Sequence, residues 1–177
     1  MITFRTLRKT IPLNRKKSDP DKFVFTGVYP VSTINIQLLQ YNKDECLEKR
    51  DIPPEGVDGF EDKGYIHWLN IYGIDNADTI ASICKRQGIH DLVIQDILDV
   101  NQRPKFQEFE NYSFLTLKSI APSDNDIVTE QISFVFGSNF LISFQEKEAS
   151  FFEHVRHMLR DGKGIIRERG ADYLLYA

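Results

Sequence analysis

The chain has 177 residues, of which 41% are hydrophobic and 12% aromatic, which is enough to bury the core of one domain. Its 26 acidic and 22 basic residues give a net charge of −4, which argues against nucleic acid as a partner, since phosphate binding requires a basic surface. Cys46 and Cys84 are too few for a disulfide framework or a zinc site, and they favour reduced thiols in a cytosolic chain.

The N-terminal segment differs from the rest of the chain. Residues 1–22 carry seven Lys and Arg side chains without hydrophobic periodicity, a pattern that predicts a mobile basic arm. Strand-like patterns follow: apolar and polar residues alternate over residues 34–38, and residues 45–52 provide a partner strand. Residues 65–71 are apolar on both faces, which favours a central strand.

Two helices are predicted next. Asp75 or Asn76 can cap the first helix, which ends at Gly88, and the second extends from Asp91 to Val100. The apolar residues of the second helix fall on one side at about 100° per residue. Its other side carries oxygen-bearing side chains: Asp91, Gln95, Asp96 and Asp99.

The second half of the chain begins with a run of hairpins. Strands are predicted at residues 106–109, 113–119, 128–136 and 140–145. Ser150 and Glu153 then match a capping box ahead of a helix that ends at Asp161. The order of elements predicts one α/β domain of the α+β type with a mixed sheet. We place this domain at residues 23–170 and take residues 171–177 as the start of a helix that continues beyond Ala177.

The sequence contains no catalytic signature. It has neither a Gly-rich phosphate loop nor a nucleophile elbow, and we therefore expect that the protein is not an enzyme. His154 and His157 have a spacing that suits a transition metal, but no Cys or carboxylate completes a recognised ligand set. His67 fits a hydrogen-bonded strand residue, and His90 fits a neighbour of a helix cap.

The acidic side of the second helix is the best candidate for a binding site. Mg²⁺ prefers oxygen ligands and keeps several waters, so one or two carboxylates from each of several surfaces are sufficient to hold it. Amphipathic helices also present a solvated polar face that has no ligand. The pattern alone leaves both interpretations open.

Five segments, in order along the chain, resemble landmarks of the CorA family of magnesium and cobalt transporters. Trp68–Gly73 is similar to the family's Trp-x-Asn-x-x-Gly segment, and Gly88–Leu98 is similar to its Ile-His-Pro-Leu-x-x-Glu-Asp-Ile-Leu segment. Asn101–Lys105 contains the family's Arg-Pro-Lys signature, and Gln145–Glu146 and Ala171–Tyr176 resemble two later landmarks. Each segment is weak alone, but their shared order makes the resemblance specific.

The resemblance covers residues 24–177 and implies an α/β/α sandwich around a mixed, largely antiparallel sheet, with helices on both sides. For the full-length protein it implies a homopentamer in the cell inner membrane. This domain would lie on the cytoplasmic side, and the membrane helices would lie beyond Ala177. It further implies regulatory Mg²⁺, or alternatively Co²⁺, bound weakly between subunits to favour the closed pore. Bare acidic faces of neighbouring subunits would repel one another after the ion leaves.

Residue by residue, the family's intersubunit metal carboxylate falls on Asp96. The Glu that precedes it in the family is Gln95 here, which keeps an oxygen but loses a charge. Asp91 replaces a Pro of the family pattern and Asp99 replaces a polar residue, and either could restore the charge. The candidate metal residues are therefore Asp96, Gln95, Asp99 and Asp91.

Two other interpretations stay open. A related zinc transporter would share the fold, although an acidic face rather than a His-rich one favours magnesium. A freestanding soluble ligand-binding domain is the second alternative, and the uncapped helix at residues 171–177 argues against it.

Overall fold

The computed structural model describes residues 22–27, 33–61, 63–123 and 126–177. Apart from Lys22, the basic arm predicted at residues 1–22 lies outside the described residues.

A seven-stranded sheet forms the centre of the described part of the chain. Its strands are β1 (Asn35–Tyr41), β2 (Cys46–Lys49), β3 (Ile66–Tyr72), β4 (Lys105–Glu108), β5 (Ser113–Ser123), β6 (Asp126–Phe136) and β7 (Phe140–Gln145). The spatial order is β2-β1-β3-β7-β6-β5-β4. The pair β3–β7 is parallel, with Trp68 opposite Leu141, and the other neighbouring pairs are antiparallel. The expected mixed, largely antiparallel sheet is therefore confirmed.

Helices cover both faces of this sheet. They are α1 (Ala77–Arg86), α2 (Asp91–Leu98), α3 (Glu153–Asp161) and α4 (Ala171–Tyr176). Because successive strand residues point to opposite faces, Leu69 of β3 packs with α1 and α2, whereas its neighbour Trp68 packs with α3 and α4. These two separate apolar clusters define the α/β/α sandwich expected from the sequence.

The helix signals were partly correct. Asn76 caps α1, because its side-chain oxygen accepts a hydrogen bond from the backbone N–H of Thr79 at 3.1 Å. Gly162 ends α3 in the left-handed conformation with φ of 64°, as glycine does readily.

The predicted capping box before α3 is wrong. Ser150 begins a 3-10 turn, and Phe152 occupies the N-cap position of α3 without a side-chain cap. The Phe152 ring lies 5.6 Å from that of Trp68 and 6.0 Å from that of Phe134. Aromatic packing on the sheet therefore holds the start of this helix instead of the local hydrogen bonds of a capping box.

None of the helices in the described ranges has the length and apolar character needed to cross a lipid bilayer.

Candidate metal-sensing surface

Helix α2 is held firmly against the sheet by its apolar side. Val93, Ile94 and Ile97 are fully buried in the cluster that α1 and α2 share with the sheet. His90 is the N-cap residue of the helix, and its Nδ1 accepts a hydrogen bond from the N–H of Leu92 at 3.2 Å. With both the start and the apolar side fixed, the polar side of α2 is directed away from the sheet.

Asp96 is the candidate carboxylate with the most specific contact. Its Oδ2 accepts a hydrogen bond from Nζ of Lys105, the first residue of β4. The side chains of Asp96 and Lys105 are 15% and 30% exposed, so the pair is shielded from water more than an ordinary surface ion pair. Asp96 thus has a counter-charge within its own chain.

Asp99 does not lie on the helix. Helix α2 ends at Leu98, two residues earlier than predicted, and Asp99 is its C-cap residue. The Asp99 carboxylate accepts bonds from Oγ1 of Thr26 at 2.8 Å, the N–H of Asn101 at 3.2 Å and Nε2 of Gln102 at 3.1 Å. These contacts build the turn after α2, because an Asp side chain competes for backbone N–H groups and favours turns over helix interiors.

Asp91 and Gln95 are one helical turn apart. Asp91 is exposed in the first turn, and its Oδ1 lies 3.8 Å from Nζ of Lys85. Gln95 is half-buried. The four candidates therefore share one short segment, but no three His, Cys, Asp or Glu side chains form a metal-binding group within the described ranges.

A buried polar network holds the C-terminal end of α2 to the sheet. Nε2 of Gln131 on β6 donates to the backbone oxygens of Asp96 at 3.3 Å and Asp99 at 3.1 Å. Nζ of Lys118 donates to the oxygen of Val100 and, at 3.3 Å, to Oε1 of Gln131. Burial lowers the pKa of Lys118, and the nearby carboxylates of Glu146 and Asp99 oppose that change. The network supplies donors to carbonyls that the end of a helix leaves unpaired.

Two of the four histidines make hydrogen bonds within the fold, and the other two are exposed. His67 is buried, with its ring nitrogens hydrogen-bonded to Nε2 of Gln40 at 3.2 Å and the backbone oxygen of Glu61 at 3.0 Å, which confirms the predicted strand role. His90 is the cap of α2 rather than only its neighbour. His154 and His157 are both exposed on α3.

Sequence reasoning missed Lys105, Lys118 and Gln131. Lys105 belongs to the recognised Arg-Pro-Lys segment, but nothing in that motif indicates which acidic residue it faces. For Gln131 there was a signal: it is a polar residue in strand alternation with buried Ser133 and Val135, on the face of β6 that packs against α1 and α2. A buried polar side chain at such a position requires a hydrogen-bonding partner.

The donor chemistry of α2 fits a hydrated Mg²⁺ ion. Every candidate group is a carboxylate or amide oxygen, and Mg²⁺ keeps much of its water while contacting one or two carboxylates. Asp99 is engaged in a turn, whereas the carboxylates of Asp96 and Asp91 each pair with a lysine. One chain then supplies only part of a coordination shell, and water or another surface must supply the rest.

The described residues form an α/β/α domain whose α2 surface offers a partial set of oxygen donors rather than a closed metal centre. Comparisons with known proteins identify the family of this domain. The model of the family described as CorA-like Mg²⁺ transporter protein matches residues 63–177. The cobalt/magnesium transport protein CorA of Thermotoga maritima is 38% identical over 165 residues, which cover 92% of this chain and 47% of that protein. The chain belongs to the CorA-like Mg²⁺ transporter family.

Solved structures share the fold. The full-length CmaX protein superposes with a TM-score of 0.64 at 13% identity, over 85% of this chain and 45% of that one. The CorA magnesium transporter of Methanocaldococcus jannaschii gives a TM-score of 0.58 at 19% identity, over 82% of this chain and 43% of that one. This chain therefore spans about half the length of the Thermotoga relative (47%) and of these structures.

Proposed function

We propose that this chain is the cytoplasmic, divalent-cation-sensing domain of a CorA-type magnesium transporter in the cell inner membrane. Regulatory Mg²⁺ binds weakly at Asp96 between neighbouring subunits of a homopentamer and favours the closed pore. Co²⁺ is the alternative ion. The observation that carries the proposal is the family match over residues 63–177, which includes the whole of α2.

The partial ligand set of α2 supports a site between subunits. Asp96 and Gln95 provide few oxygens for an ion that requires six ligands, even with several waters among them. A facing surface from a second subunit would complete the shell, and occupancy would then depend on the subunit arrangement. An ion that binds one arrangement better than another shifts the population toward it, and such coupling is typically about 1–3 kcal/mol.

The direct test is Asp96→Asn in the full-length protein. The amide keeps the shape of the side chain but removes the charge. We expect the Mg²⁺ concentration that half-protects the purified oligomer from a protease to rise by at least about fivefold, the lower end of usual coupling energies. Mg²⁺ inhibition of flux in proteoliposomes should weaken in parallel.

Asp161→Asn is the matched control. Asp161 ends α3 on the opposite face of the sheet, where its carboxylate pairs with exposed Lys163 at 2.7 Å, so its loss removes the same charge away from α2. Equal Mg²⁺ midpoints for wild type and Asp96→Asn would refute the role of Asp96 and leave the family assignment intact. Flux of Zn²⁺ in place of Mg²⁺ and Co²⁺ would instead identify the related zinc transporter.

A further inference from the structure

The pair formed by Asp96 and Lys105 bears on how the proposed site is regulated. A carboxylate in hydrogen-bonding contact with an ammonium group is already charge-compensated, and a second cation has to compete for it. Lys105 and a divalent ion therefore cannot both interact with Asp96 at full strength, because the two cations repel each other at short range.

The position of Lys105 is fixed by two features besides Asp96. Its backbone starts β4, directly after Pro104, and pairs in register with Thr116 of β5. Its Nζ lies 5.8 Å from the ring centroid of Phe114, a buried residue, within the range of a cation–π contact. The ammonium group is thus presented to Asp96 by the sheet.

The other acidic groups of α2 differ from Asp96. Asp99 accepts three hydrogen bonds from neutral donors, and Asp91 has a longer contact, at 3.8 Å, with Lys85. The side chains of Lys85 and Asp91 are 55% and 62% exposed, so solvent screens their attraction. The shielded pair on α2 is therefore at the carboxylate that the proposed function assigns to the metal.

We propose that Lys105 is a tethered counter-ion that competes with Mg²⁺ for Asp96 and so sets the Mg²⁺ concentration at which the domain responds. This inference rests on the proposed role of Asp96. When the ion is absent, Lys105 neutralises Asp96. When Mg²⁺ binds, the Lys105 side chain, at an edge strand and 30% exposed, moves its ammonium group into solvent. The site therefore binds Mg²⁺ more weakly than its carboxylate alone would allow.

Lys105→Met in the full-length protein tests this inference. Met keeps most of the apolar length of the Lys105 side chain but removes the competing charge. We expect the Mg²⁺ midpoint for protease protection of the purified oligomer to fall by about three- to tenfold, as the loss of a shielded ion pair and of cation repulsion would produce. Lys105→Arg, which retains the charge, should stay within about twofold of wild type.

Lys85→Met is the matched control. Lys85 also pairs with a carboxylate of α2, and its Nζ lies 4.9 Å from the ring centroid of Phe23, but its ion pair is exposed and does not involve Asp96. Lys85→Met removes the same charge from the same region, next to the candidate donor Asp91, and so measures the general effect of losing a cation beside α2. A clearly larger shift for Lys105→Met isolates the contact with Asp96. Lys105→Gln, checked for assembly by gel filtration, replaces Lys105→Met if the latter does not assemble.

The outcomes separate the two proposals. If Asp96→Asn raises the midpoint while Lys105→Met leaves it unchanged, the metal role of Asp96 stands and the competition by Lys105 is overturned. A rise in the midpoint for Lys105→Met would also overturn it, because Lys105 would then position Asp96 for the ion. If neither variant shifts the midpoint, both proposals fail.

Discussion

Replacing Gln131 with Met should destabilise the end of α2 without substituting any candidate metal residue. Gln131 is buried, and its amide donates to the backbone oxygens of Asp96 and Asp99. Gln131→Met retains the length of the side chain but leaves both carbonyls without this donor. An unpaired buried acceptor costs about 1–3 kcal/mol. Because water can reach the half-buried turn at Asp99, we expect a total loss of about 2 kcal/mol.

Two measurements would detect this loss. Urea unfolding of the 177-residue chain should show a midpoint lower by about 1 M, since the urea dependence for domains is about 1–3 kcal/mol per M. Amide hydrogen exchange over α2 should become faster. Ser133→Ala is the control, because buried Ser133 on the same strand bonds Thr116 at 3.2 Å rather than α2. A loss below about 0.5 kcal/mol, a size typical of neutral surface substitutions, or unchanged exchange over α2 would refute the assigned role of Gln131.

Two further substitutions test structural roles of carboxylates, one at the end of α2 and one on β6. Asp99→Ala should destabilise the chain by about 1–2 kcal/mol, because it removes the hydrogen bonds from Thr26 and Gln102. The Mg²⁺ midpoint for protease protection should stay unchanged. A shifted midpoint in correctly assembled protein would instead indicate that Asp99 contacts the metal ion. Burial raises the pKa of the Glu130 carboxyl, and its Oε1 accepts a hydrogen bond from the N–H of Lys147 at 3.3 Å. The native state therefore binds the carboxyl proton of Glu130 more tightly than the unfolded state does. As the pH rises through the native pKa, the protein loses this contribution to stability. Glu130→Gln should therefore be more stable than wild type at pH 8, with a difference that shrinks towards pH 4, and a pH-independent difference would contradict this assignment.

Local patterns were sufficient for most of the fold. The strand predicted at residues 65–71 is β3 at Ile66–Tyr72, because an apolar run bounded by Gly64 and Gly73 has few alternatives. The cap of α1 at Asn76 follows equally from chemistry within four residues. Where a pattern is decided by neighbours in sequence, residue types alone define the element.

The errors and omissions arise where distant contacts decide. The capping-box pattern at Ser150 is local, but packing of Phe152 on Trp68, 84 residues earlier in the chain, determines how α3 begins. Asp99 has the correct spacing for the polar side of α2, but it is the C-cap residue and accepts a hydrogen bond from Thr26, 73 residues earlier in the chain. Periodicity shows which side of a helix faces outward and does not show which charge lies opposite.

In the candidate site, too, the sequence pattern indicates some features and only the fold defines the others. The family resemblance identifies Asp96, and helical periodicity places it on the outward side of α2. The contact with Lys105 depends on the turn after Asp99 and on the register of β4 against β5, neither of which the sequence pattern specifies. The sequence could therefore indicate a candidate site residue, whereas its electrostatic partner required the three-dimensional structure.

The pairing of Asp96 also changes the energetics expected of a metal-free subunit. If the acidic face of α2 were bare, departure of Mg²⁺ would leave like charges facing each other, and their repulsion would drive the subunits apart. Lys105 already pairs with Asp96 in the metal-free chain. If Mg²⁺ replaces it as proposed, Asp96 would have a counter-charge with and without the ion, and metal release would not leave bare carboxylates that repel each other. The proposed competition would let residue 105 set the Mg²⁺ threshold without any change to the ligands. It also predicts that Lys105→Met oligomers, unlike wild type, become sensitive to ionic strength when Mg²⁺ is absent, because only they expose an uncompensated Asp96 to screening by salt.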